Sequence, residues 1–122
     1  YTAGIVDYLH KNQMMPKVII VSIHNKNRVR DFTPTPSKEG LYGPLELGGA
    51  DKFLSFIEDE LKPEITKQYR VNPYSALIGH SYGGLLSIYS QQVRPSLFNA
   101  HIVVSPSLFC LKKMRRKICM IK

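Results

Sequence analysis

The last third of the chain contains no acid. Residues 82–122 hold seven Lys and Arg but no Asp or Glu, whereas residues 1–81 hold ten basic and nine acidic side chains. The formal charge of +8 is therefore a C-terminal property, which excludes a uniformly basic domain built to hold a polyanion. Tryptophan is absent, and cysteine occurs only at Cys110 and Cys119. The two cysteines read as free thiols, with a single disulfide as the alternative; their spacing is not that of a metal site, and they assign no redox compartment. No apolar run approaches the roughly 18 residues of a membrane-spanning helix, and no charged-then-apolar leader opens the chain. No membrane span is expected. Because the chain begins at Tyr1 without a start methionine, the expectation is that its N-terminus was cut from something longer.

What is present reads as a folded domain. At 122 residues, 43% of them hydrophobic, the chain has room for one domain with a modest core: half of a large α/β fold or the whole of a small one. There are no internal repeats and no low-complexity segments. "TAGIVDYLHKNQ" carries Ile5, Val6 and Leu9 at helical spacing and stops before Pro16, which predicts a short amphipathic helix. "KVIIVSI", Lys17 to Ile23, is a continuous β-branched run and predicts a central strand buried on both faces.

His24 to Gly49 is rich in Pro, Gly, Asn and charge and reads as one long loop of the kind that usually has a purpose. Phe53, Phe56, Ile57, Leu61 and Ile65 then fall at helical spacing, with Asp51 at the helix start and Pro63 expected to kink or break it. "YSALIGHS", "YGGLLSIYSQQV" and "AHIVVSPS" follow as strand, helix and strand. Strands alternating with helices imply right-handed crossovers and a parallel sheet with helices on both faces.

"GHSYGG" places Ser81 between Gly79 and Gly83, the G-x-S-x-G pattern of a nucleophile elbow. The pattern requires small flanking residues because the chain turns sharply from strand to helix, holding the serine in a strained conformation with its hydroxyl exposed above the sheet. As a bare pattern it is weak, and a tight βα turn with an idle serine would also satisfy it. Its setting between an apolar strand and an amphipathic helix favours the elbow. The Tyr82 N–H, at the helix N-terminus, is placed to form half of an oxyanion hole.

The motifs resemble a known family. "NKNRVRDFTPTP", "GGADKFLSFIEDELKPEI", "GHSYGGLLSIY" and "SPSLF" occur in the order and approximate spacing of the esterase family of α/β-hydrolases that includes the enterochelin-esterase-like proteins and the esterase D group. The resemblance covers roughly residues 1–109. It implies hydrolysis of a small-molecule carboxylic ester by a Ser-His-acid triad, without metal or organic cofactor. Ser81 carries over as the nucleophile and the Tyr82 backbone N–H as an oxyanion donor. The second donor is expected from the loop after the preceding strand, with Asn25 the candidate.

In this fold the triad runs Ser, acid, His along the chain. After Ser81 no acid exists and His101 is the only histidine, so the triad is incomplete and feeble turnover is expected. Among possible bases, His24 stands at the C-terminal end of the first candidate strand, the edge where α/β sites form. An idle loop histidine is the alternative. His80 reads as a support of the elbow, because neighbouring strand residues diverge, and His10 as a helix-surface residue. Arg28, Arg30 and Asp31 admit two readings, a cleft wall that binds an acidic or catechol-like group and a solvated loop holding one Arg–Asp pair.

"CLKKMRRKICMIK" departs abruptly from the family pattern, as a frameshift or readthrough would make it. A genuine basic arm for nucleic acid or an anionic membrane is the alternative, although no nucleic-acid partner is expected. The sequence thus predicts a partial α/β-hydrolase fold, with a truncated esterase-like domain over 1–109 and a basic tail over 110–122 outside it. Function is expected to be that of a serine hydrolase on esters lacking its acid and base. A non-catalytic binding scaffold and a basic-tail interaction protein are the alternatives. An unpaired sheet edge further predicts self-association or poor solubility.

Overall fold

A computed structural model of the chain describes residues 2–34 and 47–108. The basic tail, Cys110 and Cys119 lie outside the described residues. The element order is α1 (Thr2–Lys11), α2 (Arg28–Phe32), α3 (Ala50–Phe56), a π turn (Ile57–Leu61), α4 (Lys62–Gln68), β1 (Ala76–His80), α5 (Tyr82–Val93) and β2 (Ala100–Val104). β1 and β2 run parallel, in a register that pairs Ala76 with Ala100, Ile78 with Ile102 and His80 with Val104. This is the α/β arrangement expected from a strand, a crossover helix and a second strand.

The core lies where α5 meets α3. Ala50, Leu54, Ile57, Leu86 and Leu97 form the buried cluster, flanked by Phe32, Phe53, Leu61, Tyr89 and Phe98. Helix α5 approaches closely because its inward positions are small: Gly84, Ser87 and Ser90 are all buried. Polar ties fasten the rim. The Arg94 guanidinium donates to the Glu58 carboxylate and to Ser55 Oγ, and Tyr89 donates its hydroxyl to Asp51.

Three expectations are corrected. Lys17–Ile23 is not a strand of the sheet. Among the described residues it makes no backbone hydrogen bond, and Val18, Ile19, Ile20, Val21 and Ile23 are exposed. β propensity expresses packing against neighbouring strands, and a β-branched run without a ladder partner stays irregular. Second, among the described residues helices cover one sheet face rather than both. Ile78, Ile102 and Val104 share the other face, exposed by 61%, 50% and 46%. Third, Pro63 does not break its helix. The rod runs from α3 into α4 through the π turn, where the Lys62 N–H reaches back to the Ile57 carbonyl, and the wider turn accommodates the missing proline donor.

The stretch after His24 also contains more order than a loop. α2 is started by Asn27, whose side chain accepts from the Arg30 N–H at 3.1 Å, a normal N-cap. Its end is clasped to the start of α3. The Gly49 N–H donates to the Arg30 carbonyl at 2.8 Å, the Ala50 N–H to the Thr33 carbonyl at 3.2 Å, and the Gly48 N–H to Thr33 Oγ1 at 3.0 Å. A Cβ at Gly49 would meet the Arg30 carbonyl oxygen at 2.9 Å, so only glycine fits the clasp without adjustment. "RDFT" and "GGAD", distant in sequence, are therefore one structural unit.

Candidate active site

β1 delivers the chain to Ser81 at the C-terminal edge of the sheet, and α5 departs from it. Ser81 has φ 59° and ψ −116°, a conformation that a residue bearing a Cβ adopts only when its surroundings enforce it. The enforcement is visible. The Ser81 N–H donates to the Val104 carbonyl at 3.0 Å, and its own carbonyl accepts from the N–H groups of Leu85 and Ser107, each at 3.1 Å. The chain doubles back so tightly that a Cβ on Gly79 would lie 2.1 Å from the Gly83 carbonyl oxygen. The elbow inferred from "GHSYGG" is thus an elbow in backbone geometry.

The side chain of Ser81 is half-buried, and its Oγ lies 2.9 Å from Ser107 Oγ. Ser107, 6% exposed, belongs to the "SPS" turn that follows β2. That turn packs on the helix start, since a Cβ at Gly84 would meet Pro106 and the Val104 carbonyl at 3.2 Å. In the sequence, "SPS" reads as the end of the strand "AHIVVSPS" and "SPSLF" as family likeness; the strand instead ends at Val104, and nothing local signals a partner 26 residues away.

None of the four histidines bonds to Ser81. His80 shares the open sheet face with Ile78, as alternation along a strand requires, and is exposed. His24 is exposed as well, and His10 is turned to the Met15 carbonyl. His101 sits opposite Leu77 in the register, four residues before Ser81 and so about 13 Å along the sheet from it. Its Nδ1 lies 3.1 Å from Ser87 Oγ, and its Nε2 is buried without a partner among the described residues. Burial pushes its pKa below the ordinary 6.5, against the opposing Ser87 hydrogen bond. It lies beneath α5, remote from Ser81.

The remaining candidates are the start of α5 and the residues in and before α2. Tyr82 is the first residue of α5, where backbone N–H groups point outward from the helix. Asn25 is half-buried and gives its side-chain N–H to Asp31 at 3.1 Å. Arg30 pairs with the same carboxylate at 2.8 Å, and Arg28 is exposed. α2 reaches the elbow through Phe32, whose ring edge would lie 4.0 Å from a Cβ on Gly83. A separate open cavity of about 530 Å³ along Phe56, Leu61, Pro63 and Lys67 shares no residue with the elbow. Among the described residues no group of His, Cys, Asp and Glu could hold a metal ion.

The family model described as "Putative esterase" matches residues 2–114. The chain belongs to this esterase family. It is 39% identical over 84 residues to the siderophore triacetylfusarinine C esterase of Aspergillus fumigatus, covering 67% of this chain and 28% of that protein. It is also 39% identical over 99 residues to the ferri-bacillibactin esterase BesA of Bacillus subtilis, covering 70% and 34%. Among solved structures, an IroE-like serine hydrolase from Shewanella oneidensis superposes with a TM-score of 0.85 at 38% identity, covering 95% of this chain and 39% of that one. The fold is therefore that of the α/β serine hydrolases, and the chain spans about a third of the length of the curated relatives it matches. No helix among the described residues is long and apolar enough to cross a membrane.

Proposed function

We propose that this chain carries the nucleophile and oxyanion elements of a serine esterase acting on carboxylic esters. Ser81 Oγ attacks the ester carbonyl, and the developing oxyanion is received by the backbone N–H of Tyr82 and a second donor at Asn25. The Ser81 proton passes to a base that must be brought to it and from there to the leaving oxygen. Collapse of the tetrahedral species thus releases the alcohol and leaves an acyl-serine, which water then hydrolyses. The observation that carries this reading is the strained backbone of Ser81, φ 59° and ψ −116°, held at a strand-to-helix turn. Such strain persists where the surrounding structure over-determines it, and it clusters at functional sites. The relatives named as siderophore esterases support a siderophore-like ester as the substrate class. Arg28 and Arg30, on the α2 wall, would face its anionic groups, with Arg30 shared with Asp31 and His24 at the rim.

A serine hydroxyl needs a base to become a good nucleophile, and no histidine of this chain hydrogen-bonds to Ser81. Loss of triad members typically lowers kcat by about 10⁴- to 10⁶-fold, leaving roughly 10³ over water. That observation favours one second reading, a hydrolase-like scaffold that binds without turnover. Hydrolysis of a short-chain aryl ester by the chain beside its Ser81→Ala variant separates the two. Turnover lost in the variant supports the esterase; equal rates leave the scaffold. The bare sheet face of Ile78, Ile102 and Val104 further favours self-association, and a sharp monomer peak in size-exclusion chromatography would contradict that.

A further inference from the structure

We propose that Ser107 is a positioning residue for Ser81, holding the Ser81 Oγ in a single rotamer. The inference rests on the esterase reading for its use, though not for its geometry. Oγ to Oγ is 2.9 Å, and the same two residues are joined a second time by the Ser107 N–H to Ser81 carbonyl bond at 3.1 Å. A side-chain contact between two residues whose backbones are already fixed against each other needs no further ordering to form. It therefore selects one of the three staggered positions open to a serine.

The loop is built to keep Ser107 there. Ser105 turns the chain at φ 42°, Pro106 seats on Gly84, and the Leu108 N–H closes the turn onto the Pro106 carbonyl at 2.9 Å. Ser107 is almost wholly buried, and among the described residues its hydroxyl has Ser81 Oγ as its partner. A buried hydroxyl without that partner would be left unsatisfied.

Proton counting fixes the direction of this bond in the reacting arrangement. Ser81 has one hydroxyl proton, and that proton must leave toward a base when Oγ attacks. The remaining O–H is that of Ser107, which then donates to the Ser81 oxygen. A donor to the charged form of a group favours that form, so the contact that orients the nucleophile also supports the oxygen as it becomes negative.

Two measurements on the 122-residue chain test the two parts separately. The Hα–Hβ couplings of Ser81 report its rotamer by NMR. The proposal expects one rotamer in the parent, averaged couplings in Ser107→Ala, and one rotamer regained in Ser107→Thr, which restores the hydroxyl. Labelling of Ser81 by a fluorophosphonate, followed by intact mass, reports reactivity. The Ser107→Ala rate should fall about three- to tenfold, the range set by loss of one hydrogen bond, and recover in Ser107→Thr. Averaged couplings in the parent, or a single rotamer retained in Ser107→Ala, overturn the proposal; so does an unchanged labelling rate in a variant whose couplings have averaged. A parent with one fixed rotamer, lost in Ser107→Ala, that never labels upholds the positioning and sinks only the esterase reading. Matching unfolding curves for the two Ser107 variants separate the hydroxyl's effect from a general loosening of the loop.

Discussion

Gly79→Ala should be severely damaging to this fold. The added Cβ would sit 2.1 Å from the Gly83 carbonyl oxygen, 2.3 Å from its carbon and 2.7 Å from the Gly84 nitrogen. All three are backbone atoms of the first turn of α5, so no flexible side chain can yield. Ordinary contact begins near 3.4 Å, and more than an ångström must be recovered by moving α5 away from β1 or by relaxing the Ser81 elbow. The first loosens buried Leu85 and Leu86; the second abandons the strained serine. Overpacking against side chains costs about 1–3 kcal/mol, and here, against backbone, about 3 kcal/mol or more is expected. With a urea slope of about 1.5 kcal/mol/M, the midpoint should fall by about 2 M or the variant should fail to fold. Gly83→Ala is the matched control, because its Cβ meets only the Phe32 ring edge at 4.0 Å and alanine is the better helix former. Its stability should stay within about 0.5 kcal/mol of the parent. Urea titrations of the three proteins side by side decide the matter, and equal loss in both variants would refute the steric account of the elbow.

Other outcomes follow from the interior. Leu54 is fully buried in the α3–α5 core, so Leu54→Ala should lose about 2–5 kcal/mol by thermal or urea unfolding; a loss below about 1 kcal/mol would mean that this cluster is not tightly packed. His101 is held neutral in the fold by burial, so the unfolded chain takes up its proton first on acidification. Its contribution is whole above pH 6.5, the unfolded value, and declines as the pH falls toward the lower folded one. Stability measured from pH 8 to pH 5 should therefore drop more in the parent than in His101→Phe, and parallel curves would contradict this. Tyr89 is pushed up to about 12, first by burial and then by donating its hydroxyl to Asp51. A difference ultraviolet titration against Tyr89→Phe should show the missing phenol ionising near pH 12, and a missing step near pH 10 would refute it.

The backbone elbow at Ser81 was legible in the sequence because its demands are local. A turn this tight admits no Cβ at Gly79, so the first glycine of "GHSYGG" and the strained φ of Ser81 express one constraint. The boundaries of α5 were legible for a similar reason, a strand run giving way at Ser81 to helical spacing. The Asn27 cap of α2 went unread, because the Pro- and Gly-rich stretch around it reads as one loop. The clasp of Thr33 to Gly48 and the contact of Ser81 with Ser107 were not readable, because each joins residues whose local chemistry is that of any loop. Lys17–Ile23 fails in the other direction. Its β-branched run carries the same propensity whether or not a neighbouring strand is present, and only the neighbour turns propensity into a ladder.

This division between local and distant demands also separates architecture from reactivity. The elbow needs a bare Gly79 and the close seat of Gly84 on Pro106, one helix start and the end of β2, all contained within residues 79–107. A base needs a side chain brought from elsewhere to within hydrogen-bond reach of Ser81, and each of the four histidines here is committed to another place: two exposed, one on a helix surface, one beneath α5. The strain at Ser81 is therefore sustained without any help from catalysis. Its persistence follows from the packing of Gly79 on Gly83 and of Gly84 on Pro106, which holds the Ser81 backbone in place whether or not a base is near.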